Sequence, residues 1–216
     1  MNRLAFLLIA ALVVGAAPAL AQYAPSSTTA PAAQPAQRTN IRGIITGLSG
    51  DVLSIETAKG PVKVSLAPNG QVRTVAKYNL ADITTGSYVQ AAALPQPDGT
   101  LKAIEVTVIT STPRAPEGYG PWDLQPNSTM TNANVTDIGS AKVQGVDNRV
   151  LTLTYKGGTK KLIVGPTTPV VTYVLADRSV LTPGTKVVII NATPKPDGTY
   201  AATNVTAGKN GVDPPM

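Results

Sequence analysis

The chain has 216 residues, a formal net charge of +6, and neither Cys nor His. That composition removes disulfides, thiolate nucleophiles, imidazole bases and the usual ligands for zinc, copper and haem. Only 4% of the residues are aromatic and the single Phe is Phe6, so any core is built from Val, Ile, Leu and Ala with a few Tyr.

The N-terminus reads as an export signal. Asn2-Arg3 is a short positive start, Leu4 to Val14 is an apolar run too short to span a bilayer, and Ala19-Leu20-Ala21 supplies small residues for cleavage after Ala21. No Cys follows, which excludes a lipid-anchored product. The mature protein carries no apolar run long enough to span a membrane, so the expected location is the periplasm, or outside the cell. Removing Arg3 leaves 17 basic residues against 12 acidic ones, scattered apart from the pair Lys160-Lys161. Residues 22–40 are rich in Ala, Pro, Ser, Thr and Gln and read as a flexible tether.

From residue 41 onward, short β-branched runs alternate with turn signals. Ile41 to Leu48 is a strand with Gly43 and Gly47 allowing bends, and Val52 to Thr57 and Val62 to Leu66 alternate apolar with polar. Val72 to Val75 is a short piece, Tyr78 to Ile83 a helical turn, and Tyr88 to Leu94 with Leu101 to Ile109 a closing hairpin. Its turn has a mechanism: Pro97 presets the first corner, Asp98 suits the second, and Gly99 takes the left-handed position.

The same words then return about 99 residues later. Pro95-Gln96-Pro97-Asp98-Gly99-Thr100 recurs as Pro194-Lys195-Pro196-Asp197-Gly198-Thr199. Upstream the match is weaker: Gly145 is set against Gly47, Val150-Leu151-Thr152-Leu153 against Val52-Leu53-Ser54-Ile55, and Leu175-Ala176-Asp177 against Leu80-Ala81-Asp82. The chain therefore reads as all-β: two tandem small closed β-barrels of OB type at 41–111 and 133–207, related by internal duplication, with repeated β-sandwiches as the alternative. Residues 208–216 form a polar tail. The connector at 112–132 holds the only Trp, and is too rich in Pro and Gly to be a strand.

Each copy resembles an exported bacterial domain family of unknown function. The resemblance rests on Val52-Leu53-Ser54-Ile55, on Leu80-Ala81-Asp82-Ile83 followed by Gly86 and Val89, and on Asp98-Gly99-Thr100-Leu101-Lys102-Ala103. The connector, with Pro121-Trp122-Asp123-Leu124-Gln125-Pro126 and Ser128-Thr129-Met130-Thr131-Asn132, is similar to proteobacterial proteins labelled metal ABC transporter permeases. The resemblance implies OB-like barrels. A permease role does not follow, because a permease needs several membrane spans.

The connector supplies the candidate site. Tyr119 and Trp122 are suited to stack on a sugar or other flat ligand, with Asp123 and Asn127 fixing polar groups; the competing role for Trp122 is a plug between the barrels. Asp98 and Asp197 are explained by their turns, and Asp82 and Asp177 by capping a helical turn. No metal site or cofactor is expected, and the sparse aromatics of the strands argue against nucleic acid. The expected function is a non-catalytic binding or scaffold protein of the bacterial envelope, taking an envelope protein or an anionic or sugar polymer as partner. The alternative is a carboxylate-dependent hydrolase of an envelope polymer, which needs two carboxyl groups converging in a pocket.

Overall fold

The computed structural model describes residues 38–111 and 113–214. The export signal and nearly all of the tether lie outside them. The described residues are all-β: twelve strands and two short 3-10 turns. The strands are β1 (Thr39–Ser49), β2 (Val52–Thr57), β3 (Gly60–Lys77), β4 (Tyr88–Pro95), β5 (Leu101–Ile109) and β6 (Gly118–Pro121). They continue with β7 (Thr129–Val143), β8 (Val146–Tyr155), β9 (Gly158–Val164), β10 (Val170–Ala176), β11 (Lys186–Pro194) and β12 (Tyr200–Ala207). The 3-10 turns are Leu80–Asp82 and Arg178–Val180.

The repeated turns form as their residues dictate. Gly99 and Gly198 sit at φ 81° and 79°. Asp98 Oδ1 accepts from the Thr100 amide and hydroxyl, and Asp197 Oδ1 does the same for Thr199. These turns close the hairpins β4–β5 and β11–β12.

What the hairpins close onto is unexpected. β1 pairs with β2, β2 with β3, β3 with β12 in parallel, β12 with β11, and β11 with β1. This circuit is a closed five-stranded barrel. Its first three strands come from the first sequence copy and its closing hairpin from the second. Five of the remaining seven strands pair in the same order: β7 pairs with β8, β8 with β9, β9 with β5 in parallel, β5 with β4, and β4 with β7. The copies at 41–111 and 133–207 are thus units of sequence, and their strands mix in both circuits.

The buried side chains follow the same division. One cluster joins Ile45, Leu53, Ile55 and Val64 to Val187, Ile189 and Val205. The other joins Val89, Leu101 and Val106 to Val135, Leu151, Leu153 and Leu162. Each side chain of this size contributes roughly 1.5–3 kcal/mol on burial, and each cluster draws about half of its residues from each copy.

The two segments that carry the chain from one circuit to the other pair with each other. The end of β3 runs antiparallel to β10, from Val72↔Ala176 to Lys77↔Val171. β10 also pairs in parallel with β5 at Val170–Thr172. A continuous sheet, β12-β3-β10-β5, therefore joins the circuits. This explains why β3 is a single strand of 18 residues where the sequence suggests two separated pieces.

Two sequence correspondences shift. The second copy's 3-10 turn is Arg178–Val180, so Asp177 occupies the place of Asn79, and Leu175 and Ala176 lie in β10. Asn79 Oδ1 caps its turn by accepting from the Ala81 amide; Asp82 lies within the turn, and Asp177 makes no side-chain cap bond. Gly145 is not the counterpart of Gly47. It sits at φ 81° at the tip of the β7–β8 hairpin, whereas Gly47 lies at a bulge in β1 whose equivalent is Asp137. β7–β8 extends beyond Gly139↔Val150, which breaks the spacing that the sequence match assumes.

Candidate functional site

β5 has two faces, and its outer one creates the first unusual feature. Leu101, Ala103, Val106 and Val108 enter the core cluster. Glu105 and Thr107 project from the other face, where a polar residue ordinarily meets water. Here both are buried, and Glu105 is only 2% exposed. Its Oε1 accepts from the Thr107 hydroxyl at 2.9 Å, while Oε2 is buried without a protein hydrogen-bond partner. Burial pushes its carboxyl up to about 8, against the opposing effects of the Thr107 bond and the Arg42 charge.

Tyr173 of β10 stands beside it. Burial raises the phenol, with the Arg73 charge opposing and the nearby Glu105 adding to the rise. The Arg73 guanidinium lies 3.7 Å from the centre of the Tyr173 ring, and Arg73 Nε donates to Thr206 Oγ1 at 2.8 Å. A cation on an aromatic face in a desolvated seam is a strong contact of its kind.

The connector brings in the third component. Gly118–Pro121 does form a strand, β6, against β7, contrary to the expectation from its Pro and Gly content. β6 is an edge strand, where Pro is tolerated. The chain then loops and returns at Ser128. The Trp122 amide donates to the Ser128 carbonyl, and the Ser128 hydroxyl lies 3.0 and 2.7 Å from the Trp122 and Gln125 carbonyls. Asn127 takes φ 62° at the exposed corner of this loop.

Arg42 of β1 holds the loop. Its two terminal nitrogens donate to the Asp123 oxygens at 3.0 and 2.8 Å, and Asn40 Nδ2 donates to the same carboxylate at 3.0 Å. Burial pushes the Asp123 carboxyl up, but the bonds from Arg42 and Asn40 outweigh it and hold the group below its usual range. The guanidinium also lies 5.8 Å from the Trp122 ring centre. Arg42 Nε, Trp122 Nε1 and, on β7, Asn132 Oδ1 are buried without protein partners, as is Glu105 Oε2.

Of the four residues singled out from sequence, Trp122 and Asp123 come together around Arg42. Tyr119 has different partners. Its ring stacks on Tyr155 at 6.2 Å and 26°, with Lys160 Nζ 4.9 Å from its centre, and it remains 37% exposed. Glu117 steadies this end by accepting from Asn134 Nδ2 and from the Lys156 amide. Asn127 faces none of these groups in a hydrogen bond among the described residues. Arg42, Glu105 and Tyr173 are the site residues that sequence reasoning misses. Each occupies an outward position on a strand, and nothing local in the sequence indicates that this face of the sheet is covered.

The arrangement restricts the chemistry. Glu105 is the one strongly raised carboxyl, and it is sealed. Asp123 is neutralised by Arg42, and Asp98 and Asp197 are held in turns. Among the described residues no group of three or more acids converges as a cation site. A shallow groove of about 290 Å³ lies elsewhere, lined by Val174, Lys77, Lys209 and neighbours. No family model, curated protein or solved structure matches the chain.

Proposed function

We propose that the chain is an exported, non-catalytic binding or scaffold module of the bacterial envelope, cleaved near Ala21 and built as two OB-type barrels that exchange their closing hairpins. The observation that carries this reading is the disposition of the acids. A hydrolase needs a carboxyl acid and a carboxylate that both reach substrate. Glu105 has the raised protonation of a general acid, but at 2% exposure it reaches no substrate, and Asp123 is occupied by a bidentate arginine. The remaining exposed feature with binding chemistry is the connector and the rim of the second circuit. There Tyr119 and Tyr155 offer aromatic surface beside Lys160, with Lys156 and Lys161 exposed nearby.

An anionic or sugar-containing polymer fits that surface, through stacking on aromatic rings and attraction to the lysines. The resemblance to exported domains of unknown function is consistent with it. No helix among the described residues is long and apolar enough to cross a membrane.

A thermal-shift panel on the protein from Gln22 tests the reading, with peptidoglycan fragments, anionic glycans, lipopolysaccharide, divalent metals and oligonucleotides. A ligand at 100 times its dissociation constant adds about 2.7 kcal/mol. The reading expects a shift with a glycan class that is lost in Tyr119→Ala and Lys160→Ala. A shift with metals or oligonucleotides alone contradicts it, as does turnover of any polymer.

A further inference from the structure

The guanidinium of Arg42 is held by Asp123, lies by the Trp122 ring and acts through its charge on Glu105. Arg42 spends its two terminal nitrogens on Asp123. Its Nε is buried and has no protein acceptor. Glu105 Oε2 is also buried with no protein donor, and the Arg42 charge acts on its carboxyl. We infer that Glu105, Arg42 and Asp123 form a proton-operated latch between the two barrels: protonated Glu105 leaves Arg42 to pin the Trp122 loop through Asp123, and ionised Glu105 draws Arg42 away and frees that loop.

The asymmetry of solvation decides which acid keeps the arginine. Asp123 retains half of its side-chain exposure, so water can replace a lost guanidinium, and Asn40 still donates to it. Glu105 has almost no exposure. An ionised carboxylate there has only Thr107 for relief and a large cost if left unpaired. The guanidinium fork is rigid and planar. Its Nε and terminal nitrogens move as one body, so a shift of the guanidinium toward Glu105 lengthens its bonds to Asp123. Trp122 is the neighbouring residue, and its backbone is bonded only to the small loop closed by Ser128.

The other groups facing Glu105 do not reproduce this behaviour. Tyr173 on β10 is raised above the ordinary phenol value and stays neutral through the range in which Glu105 titrates. Arg73 on β3 is committed to the Tyr173 ring and Thr206. Thr107 on β5 donates to Oε1 and carries no charge of its own. The event is one proton leaving Glu105 for solvent, with no bond broken other than hydrogen bonds.

Trp122 is the only Trp in the chain, so the loop reports itself. The test is the fluorescence of Trp122 and its quenching by acrylamide, followed from about pH 6 to about pH 9.5. The expected result is a rise in quenching with a midpoint of about 8, and loss of that transition in Glu105→Gln. Thr107→Val keeps the carboxyl but removes the bond that favours its ionised form, and moves the midpoint to higher pH. The latch is overturned if the wild-type signal is flat across the range, if Glu105→Gln retains the transition, or if Thr107→Val leaves the midpoint where it was.

Discussion

Arg149, at the start of the strand run Val150–Leu153, donates to the carbonyls of Leu80 and Ile83 at 2.6 and 2.8 Å. The bond ties the first copy's 3-10 turn to the second copy's β8. In the other circuit the tie is made from the opposite side: Arg178, in the second 3-10 turn, donates to Asp51 and to the Ala67 carbonyl in the first copy. Both circuits place a turn from one copy against strands of the other, and both secure it with an arginine.

Arg149→Ala is expected to lower stability by roughly 1.5–3 kcal/mol, the range for hydrogen bonds to charged groups. Arg178→Ala is expected to cost less, because its Asp51 partner sits in solvent. Urea unfolding of both variants, with unchanged m-values, checks the order.

Stability is expected to fall as pH rises between 4.5 and about 8, the ordinary and folded values for Glu105. The sign follows from proton counting. In that window the folded state keeps a proton that the unfolded state has lost, so raising pH favours unfolding. The advantage is complete below 4.5 and gone above about 8. A displacement of this size corresponds to roughly 4–5 kcal/mol. Glu105→Gln is expected to flatten this slope, measured by chemical denaturation across the window.

Gly43→Ala and Gly47→Ala are expected to differ sharply. A Cβ at Gly43 would collide with the Glu56 carbonyl and lie 2.7 Å from Ile55 Cγ2, both on the paired strand β2. At Gly47, within the bulge, nothing lies within 4 Å. Overpacking of the first kind costs about 1–3 kcal/mol or more, whereas Gly47→Ala is expected to be near neutral. Thermal unfolding of the pair checks the contrast.

Most strands, the repeated turns and the barrel form were legible in the sequence because each depends on neighbours in the chain, whereas β6 and the unbroken length of β3 depend on partners elsewhere. Pro97, Asp98 and Gly99 specify their hairpin regardless of what it packs against. The exchange of hairpins was not legible. Val64 of the first copy and Leu162 of the second are equally good partners for an incoming β5 or β12, so alternation of polar and apolar residues is satisfied in either arrangement. The candidate site shares this fate. Trp122 and Asp123 stand out by residue type, but Glu105 becomes unusual only because hairpin exchange and the β3–β10 pairing bury its face of the sheet.

The exchange itself is tested by cysteine pairs, since the chain has no Cys to interfere. Ile44 of β1 lies directly opposite Lys186 of β11. In a chain with each barrel built from one copy, the equivalent position opposite Ile44 is Tyr88 of β4. Double variants Ile44→Cys/Lys186→Cys and Ile44→Cys/Tyr88→Cys are oxidised as dilute monomers and compared on a non-reducing gel. The exchanged fold predicts an internal disulfide in the first variant and none in the second. A disulfide in the second and none in the first would contradict it.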